Sequence, residues 1–423
     1  MTEGRPWRRA AFWLLGLGAF FYASYGLANW LASLHSEVPV VVFGWERHVP
    51  FLGWTIIPYW SVNLFYAASL FVPATRAKLD RHAARLLTAQ VIAVTCFIAF
   101  PLRFSFERPE TTGLPGFLFA VLGGFDRPFN QAPSLHIALL VILWDLYARH
   151  APGRLLRWAL HIWFTLIGLS VLTTYQHHAV DVPTGALLGL LCLWLWPERG
   201  PSPLAARIVR DRRRRSLASC YGVGALALAG LAAWGGGWWL WLFWPAVSCA
   251  LVALNYALAG AAGFGKAADG TVPLATRLLL VPYTLAARVN AQLWTRRAPG
   301  PCHVVDGVWL GRLPAGRQLA AGPFRTVVDL CAEIPLPPWP GRRVALPSLD
   351  LVPPPTATLQ AAAEAIEAGR SHGPVLVCCA LGYARSAAAV SAWLVRTGRA
   401  ADAGAAAAMI RAARPHVVLP DAA

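Results

Sequence analysis

Long apolar stretches alternate with short basic or turn-forming stretches over about the first 260 residues of the chain. Eight of these stretches are apolar over most of the ~17 to 25 residues that a helix needs to cross a bilayer. They lie near residues 11–34, 52–73, 86–102, 135–148, 156–175, 179–196, 217–234 and 238–260. The window at 135–148 is short, and the window at 217–234 is rich in glycine. The pattern predicts a multi-pass α-helical membrane bundle with about eight spans.

The pattern changes after residue 301, where short apolar runs alternate with helical stretches. The runs typical of strands lie at 304–310, 326–330, 343–346 and 375–378, and the helical stretches lie at 356–368, 384–397 and 401–413. This alternation predicts a C-terminal α/β domain. A domain of this size can bury one modest core.

The segment between the two parts carries Arg277 and Arg288 among apolar residues, which predicts an amphipathic helix at a membrane surface over residues 274–294. Pro282 argues against one continuous helix there. The chain is therefore divided into a six-span membrane domain at 1–197, a basic cytoplasmic linker at 198–216, two further spans at 217–262, an amphipathic linker at 263–300 and a soluble α/β domain at 301–423.

Composition supports a membrane protein. Hydrophobic residues make up 57% of the chain, charged residues make up only 13%, and there are 20 tryptophans. Basic residues precede the first span and follow the second, fourth and sixth, so the positive-inside rule places the N-terminus and the C-terminal domain in the cytoplasm. These loops and the arginine-rich C-terminal domain account for the net charge of +17, so no nucleic-acid partner is expected.

The eight cysteines include no Cys-x2-Cys pair, so neither a zinc site nor a disulfide framework is predicted. Lysine occurs only at positions 78 and 266, whereas arginine and alanine are abundant, which is typical of a GC-rich genome. We therefore expect a protein of a bacterial inner membrane that needs no metal or cofactor. The sequence does not indicate its oligomeric state.

A short loop at residues 379–385 combines a cysteine, a glycine and an arginine between a predicted strand and a predicted helix. Backbone N–H groups in such a loop converge at a helix N-terminus, where the helix dipole favours an anion. The same field favours a thiolate, and an arginine fork can bind two phosphate oxygens. The pattern predicts a phosphate-binding loop with Cys379 as nucleophile and Arg385 as anchor.

This segment resembles the His-Cys-x5-Arg-Ser/Thr signature of the cysteine-based protein-tyrosine and dual-specificity phosphatases. Cys379, Arg385 and Ser386 fall on its positions, and Cys378 stands where the signature has histidine. The resemblance implies a phosphocysteine intermediate on Cys379 and a Ser386 hydroxyl that helps the thiolate to leave. It also implies that phosphate binds the loop formed by Ala380, Leu381, Gly382, Tyr383 and Ala384.

The resemblance implies a general acid on a separate loop. Asp350 is the favoured candidate, because it lies about thirty residues upstream in a loop after a predicted strand. Asp329 is the competing candidate, although its position beside a hydrophobic strand suits a structural role better.

A second group of polar residues lies at the predicted outer ends of spans four and six. Ser134 and His136 begin the first of these spans, and His177 and Asp181 begin the second. His177 and Asp181 are four residues apart, so they share one helical face, where the carboxylate can orient the imidazole. Because histidine is costly inside a membrane segment, we expect His136 and His177 to converge on one site. The alternative is that both are satisfied by their neighbours at the interface.

Residues from about 100 to 185 resemble the type-2 phosphatidic acid phosphatase superfamily, near its inositol-phosphorylceramide and sphingomyelin synthase branch. The resemblance implies that His177 attacks phosphorus, that Asp181 orients His177 and that His136 protonates the departing alkoxide. Arg103, Arg108 and Ser134 would bind the phosphate, with Arg103 in place of the lysine of the first motif. The arginine of the third motif is missing, since Ser170 is followed by Val171.

The sequence thus predicts a membrane-bound phosphatase for phosphomonoesters, with lipids favoured as substrates because the anchor raises their effective concentration. A second, histidine-dependent lipid phosphatase or phosphotransferase site is expected on the outer face. The loop at 380–384 lacks the extra basic residues expected for multiply phosphorylated headgroups, which favours a glycerophosphate or inositol-phosphate headgroup. Two alternatives stay open: a membrane-tethered protein-tyrosine or dual-specificity phosphatase acting on a phosphoprotein, and a scaffold or transporter bundle that carries a signalling domain.

Overall fold

The computed structural model describes residues 4–199, 202–205 and 211–419, which fall into two compact units. One unit runs to Ser202 and includes Ala233–Leu240, and the other comprises Pro203–Ala232 and the chain from Trp241 onward. The basic linker predicted at 198–216 falls partly on residues 200–201 and 206–210, which lie outside the described residues.

The first unit is helical. Its helices are α1 (Trp7–Ser33), α2 (Ile56–Ser69), α3 (Arg76–Ala99), α4 (Gly113–Gly123), α5 (Leu135–His150), α6 (Arg154–Thr173) and α7 (Asp181–Leu195). Helix α5 packs closely on α7. A Cβ atom added at Gly189 of α7 would lie only 2.7 Å from the carbonyl oxygen of Ala138 in α5. Small residues of this kind let helix backbones approach each other, as in membrane bundles.

The second unit begins with helices and continues into a sheet. Its helices before the sheet are α8 (Arg212–Gly235), α9 (Phe243–Leu254), α10 (Leu274–Leu279) and α11 (Val281–Trp294). Pro282 lies in the first turn of α11, where proline is tolerated, so the amphipathic segment at 274–294 forms two helices and not one.

Among the described residues, five helical segments are long and apolar enough to cross a membrane. They are Trp7–Ser33, Arg76–Ala99, Arg154–Thr173, Arg212–Gly235 and Gly237–Phe264. The remaining predicted windows coincide with α2, α5 and α7, which have 14, 16 and 15 residues and are shorter than a typical span. A helical segment therefore lies at each predicted window, whereas the membrane bundle and its eight spans stay a prediction.

The C-terminal part of the second unit is an α/β domain built on a five-stranded sheet of order β1-β2-β5-β3-β4. Its strands are β1 (Cys302–Val305), β2 (Val308–Arg312), β3 (Thr326–Cys331), β4 (Arg342–Ser348) and β5 (Val375–Cys379). Its helices are α12 (Gly316–Ala321), α13 (Thr356–Arg370), α14 (Arg385–Arg396) and α15 (Ala403–Ala413). All neighbouring strands are parallel except β1 and β2. Fully buried residues such as Val328, Val377 and Trp393 form its core.

The single strand predicted at 304–310 is wrong, because the chain reverses within it. Asp306 and Gly307 both have positive φ, at 48° and 76°, and they connect β1 to β2 as a two-residue hairpin turn. Asp-Gly is among the strongest sequence signals for such a turn. The other three strands and the three predicted helices agree with the structure to within two residues at each end.

The segment that follows Gly237–Phe264 is attached to the α/β domain. The Lys266 ammonium donates to the Asp329 carboxylate at 2.5 Å and to the carbonyl oxygens of Cys331 and Ile334 at 2.6 and 2.7 Å. The Ala345 N–H donates to the carbonyl oxygen of Ala268 at 2.8 Å. Residues 266–268 are therefore fixed to the sheet, upstream of the domain boundary predicted at 301.

Candidate active site

The cysteine loop lies at the carboxyl end of β5, between that strand and the start of α14 at Arg385. Strand β5 is flanked by β2 and β3, so the loop emerges from the middle of the sheet. Gly382 has φ 75°, and a side chain there would overlap the carbonyl carbon of Gly311 in β2. Only glycine fits both the conformation and the space.

The Cys379 thiol points into this loop. Its Sγ accepts a hydrogen bond from the Gly382 N–H at 3.3 Å and lies 3.2 Å from the Ser386 hydroxyl. Ser386 is fully buried, and Cys379 is 2% exposed. The contacts of the sulfur are thus a loop amide and a hydroxyl, which suit a thiolate and its departure from a phosphorylated intermediate.

Arg385 is buried and contacts two carboxylates. Its guanidinium donates to both Glu333 oxygens at 2.7 and 2.8 Å and to the Ser348 carbonyl oxygen at 2.8 Å, and it lies 3.1 Å from Asp350. Burial by itself lowers the pKa of Arg385, but the charges of Glu333 and Asp350 raise it well above its ordinary value. Burial would raise the pKa of Glu333, but Arg385 lowers it overall.

Sequence reasoning missed Glu333. Glu333 lies just after β3, and the carboxyl ends of parallel strands meet at one edge of a sheet. Its position after β3 could therefore have predicted that it lies near the loop after β5. Its bidentate ion pair holds the fork of Arg385 in one orientation.

The two candidate acids occupy different surroundings. Asp350 lines the same cavity as Cys379, and its pKa is raised by burial and by Glu333 although Arg385 acts in the opposite direction. Asp329 is fully buried and binds Lys266 and the Cys331 N–H. The structure therefore places Asp350 at the cavity, whereas Asp329 forms the buried ion pair with Lys266.

Cys378 faces a separate part of the core that includes Val327.

The cavity at Cys379 has a volume of about 1210 Å³. Besides Cys379, Arg385 and Asp350, it is lined by the loop residues Leu381, Tyr383 and Ala384 and by three arginines whose position beside the cysteine loop the sequence did not predict, Arg213, Arg296 and Arg297. Ala380 and Gly382 are not among its lining residues. The cavity combines a nucleophile, a proton donor and several cations.

A second cavity, of about 460 Å³, lies in the first unit. His177 lines it, and its two ring nitrogens lie 3.2 Å from the Asp181 carboxylate and 3.1 Å from the Ser134 hydroxyl. Its other polar lining residues include Arg103, Arg108, Arg127 and Asp126. The structure thus brings together His177, Asp181, Ser134 and the two predicted arginines.

His136 is not among the residues that line this cavity. Its ring stacks on Tyr59 with the centroids 4.2 Å apart, and in the described part of the chain its buried Nε2 has no hydrogen-bond partner. The Nε2 of His177 instead lies 3.1 Å from the hydroxyl of Ser134, which caps α5. The neighbouring His178 is structural, because its ring bonds to Glu46 at 2.9 Å and accepts from the Ser105 N–H at 3.2 Å.

Among the described residues, no group of histidine, cysteine and carboxylate side chains is arranged to hold a metal ion. The loop at Cys379 offers N–H groups and a guanidinium, which bind anions and not metal cations.

No family model matches the chain, and no curated protein matches it. Solved structures similar to it include human DUSP28, with 28% identity over 28% of this chain and 87% of that chain and a TM-score of 0.26. Tk-PTP in the active form has 27% identity over 29% of this chain and 88% of that chain, with a TM-score of 0.26. A mouse putative dual specificity phosphatase complexed with zinc tungstate has 27% identity over 29% of this chain and 80% of that chain, with a TM-score of 0.27.

Proposed function

We propose that the chain is a membrane-anchored phosphatase that hydrolyses phosphomonoesters at Cys379. The proposal rests on the position of the Cys379 sulfur, which lies at the end of β5 and contacts the Gly382 N–H and the Ser386 hydroxyl. Arg385 and Asp350 line the same cavity. A phosphate there meets a nucleophile, an anion-binding loop and a proton donor.

The reaction has two steps. The Cys379 sulfur attacks phosphorus, the bond between phosphorus and the ester oxygen breaks, and the Asp350 carboxyl gives its proton to that oxygen. Water then attacks the phosphocysteine, its proton passes to the Asp350 carboxylate, and the phosphorus–sulfur bond breaks to release inorganic phosphate. The Ser386 hydroxyl, 3.2 Å from the sulfur, stabilises the departing thiolate.

Lipid phosphomonoesters are the proposed substrates. Five helical segments in the described residues are long and apolar enough to cross a membrane, and two of them belong largely to the unit that carries Cys379. Such an anchor raises the effective concentration of membrane lipids at the cavity. We place the protein in a bacterial inner membrane, with its N-terminus and the Cys379 domain in the cytoplasm.

The test uses the full chain purified in detergent. We expect the wild type to release phosphate from micellar phosphatidic acid and phosphatidylinositol monophosphate faster than from a phosphotyrosine peptide, and Cys379→Ser to abolish the part of this release that does not depend on His177. Cys220→Ser is the matched control, because Cys220 is an exposed cysteine outside the cavity. Full activity in Cys379→Ser would overturn the proposal, and a preference for the peptide would favour the protein-phosphatase alternative.

A second site in the first unit is proposed on the observation that His177 lies between Asp181 and Ser134 in a cavity lined by Arg103 and Arg108. Here His177 would attack the phosphorus of a lipid phosphate on the outer face of the membrane while the arginines bind the phosphate oxygens, and the bond between phosphorus and the ester oxygen would break. The departing alkoxide would take a proton from water, and the phosphoryl group would then pass from His177 to water or to a second lipid. Phosphatase or phosphotransferase activity that survives in Cys379→Ser and disappears when His177→Ala is added would support this site. Exposed His35→Ala is the control. An unchanged profile in His177→Ala would favour the scaffold or transporter alternative.

A further inference from the structure

Three arginines outside the cysteine loop line the cavity that contains Cys379. Arg213 comes from the first turn of α8, and Arg296 and Arg297 follow Thr295, the residue after α11. In the described part of the chain, no carboxylate forms an ion pair with any of them. Their charges are available to a ligand, whereas the charge of Arg385 is already shared with Glu333 and Asp350.

The segment that carries Arg296 and Arg297 is fixed to the catalytic loop. The Tyr383 hydroxyl donates to the Trp294 carbonyl oxygen at 3.2 Å, and Arg312 donates to the buried Thr295 hydroxyl at 2.9 Å. These bonds hold the chain on the N-terminal side of the two arginines.

Arg414 holds the other side of the segment. This residue is 2% exposed and donates to the carbonyl oxygens of Ala298 and Gly300, at 3.4 and 3.0 Å, and to that of Leu381 in the catalytic loop, at 3.3 Å. Its guanidinium also lies over the Tyr383 ring, 5.0 Å from the centroid. One buried side chain therefore joins the arginine segment to the loop that would bind phosphate, which sets the spacing between the two cationic regions.

The rim of the cavity is apolar on the side of α11. Leu293 and Trp294 line it, and Leu293 continues an exposed apolar row with Val289 and Leu285 at spacings of four residues. Residues at this spacing share one helical face. An apolar face beside arginines is typical of helices that lie on anionic membranes. The cavity thus opens next to a surface suited to acyl chains.

We infer that Arg213, Arg296 and Arg297 form a second anion subsite that binds the phosphodiester of a glycerophospholipid whose headgroup carries the phosphomonoester cleaved at Cys379. This inference rests on the proposed function and narrows its substrate class. The loop at 380–384 itself contains no basic residue, and the three arginines come from segments far from it in the sequence. Arginine forks bind phosphate oxygens strongly in a partly buried cavity.

The test compares substrates that differ in the second phosphate. Phosphatidylinositol monophosphate contains a monoester and a diester, whereas phosphatidic acid and p-nitrophenyl phosphate contain only a monoester. We expect Arg296→Gln/Arg297→Gln, and separately Arg213→Gln, to lower kcat/KM for phosphatidylinositol monophosphate about tenfold or more, and for the two monoester substrates by less than about threefold. Arg288→Gln is the matched control, because Arg288 is an exposed arginine of α11 outside the cavity. Equal losses on all substrates, or an equal loss in the control, would overturn the inference.

A binding experiment separates this inference from the proposed function. The full chain with Cys379→Ser, in detergent, is titrated calorimetrically with the deacylated headgroup, glycerophosphoinositol phosphate. Weaker binding after Arg296→Gln/Arg297→Gln supports the subsite even if the wild type hydrolyses nothing, and unchanged binding contradicts it. A large preference for the intact lipid over the deacylated headgroup identifies a membrane lipid as the source of the ligand. Stronger binding of a phosphotyrosine peptide would refute the lipid assignment.

Discussion

Arg385 carries one positive charge and contacts two carboxylates, Glu333 and Asp350, while its side chain is almost fully buried. The bidentate contact with Glu333 fixes the guanidinium plane, and Asp350 lies at its accessible side in the cavity. We expect an arriving phosphate to compete with Asp350, and not with Glu333, for this guanidinium. Asp350 is therefore free to take the protonated form that a general acid needs.

The pH dependence of the reaction tests the role of Asp350. Burial raises the pKa of Asp350 and the Glu333 charge adds to this, although Arg385 acts in the opposite direction. The protonated carboxyl therefore persists to higher pH than in an ordinary aspartate, and kcat/KM falls as pH rises through this raised value. For an alkyl phosphate, Asp350→Asn should lower kcat about 100-fold or more and remove this fall. For p-nitrophenyl phosphate the loss should be small, since its leaving group needs no proton.

Asp402→Asn is the control for this profile, because Asp402 caps α15 outside the cavity, where asparagine also caps helices well. If the kcat/KM of Asp350→Asn still falls as pH rises, the fall is due to the titration of a group other than Asp350.

At the scale of elements, the sequence predicts those features that depend on residues close to each other in the chain. Strands β3, β4 and β5 and helices α13, α14 and α15 follow from apolar runs and helical periodicity, and Cys379 and Arg385 follow from their spacing in one loop. The hairpin at Asp306 was within reach of the same reasoning. Arg296 and Arg297 were not, because their position depends on a contact of Arg414 with two segments that lie far away in the sequence.

The loop between β5 and α14 depends on Gly382 at its contact with β2. Gly382→Ala should lower kcat/KM for p-nitrophenyl phosphate about 100-fold, because the new methyl group forces the loop away from Gly311 and displaces the Cys379 sulfur. Gly398→Ala is the matched control: Gly398 has a similar φ of 70° but open space around it, so it shares the conformational cost without the clash. Comparable losses of activity in both variants would contradict this account.

At the scale of the whole molecule, side-chain contacts within the second unit join an apolar helical segment to the α/β domain. Lys266 lies two residues after the end of the apolar segment Gly237–Phe264, and its ammonium binds Asp329 of the sheet. Within the same unit, the Tyr256 hydroxyl donates to the Asp350 carbonyl oxygen at 2.9 Å, which connects that apolar segment with the loop of the proposed acid. The sequence could not indicate either contact, because a lone lysine or tyrosine carries no pattern.

Removal of the Lys266 charge should destabilise the second unit. Lys266→Met leaves the fully buried Asp329 carboxylate without its cation, and we expect the free energy of unfolding to fall by about 3–5 kcal/mol. Denaturant unfolding of the purified chain, followed by its phosphatase activity, measures this loss. Lys78→Met is the control, because Lys78 is exposed on α3.

A second variant tests whether the loss of stability in Lys266→Met comes from the unpaired carboxylate or from poorer packing of the new side chain. Lys266→Met/Asp329→Leu replaces both charges by apolar groups, so it should recover much of the stability. A double variant that is no more stable than Lys266→Met would show that the unpaired carboxylate is not the cause.

Because Lys266 is buried, its chemical modification can report on local opening of the structure around it. Of the two lysines, Lys78 is exposed, whereas the side chain of Lys266 is inaccessible and its amine is occupied by three acceptors. An acylating reagent should therefore modify Lys78 at once and Lys266 only when the segment after Gly237–Phe264 separates from the sheet. The ratio of the two modified peptides in a mass spectrum, followed over time, would measure how often that junction opens.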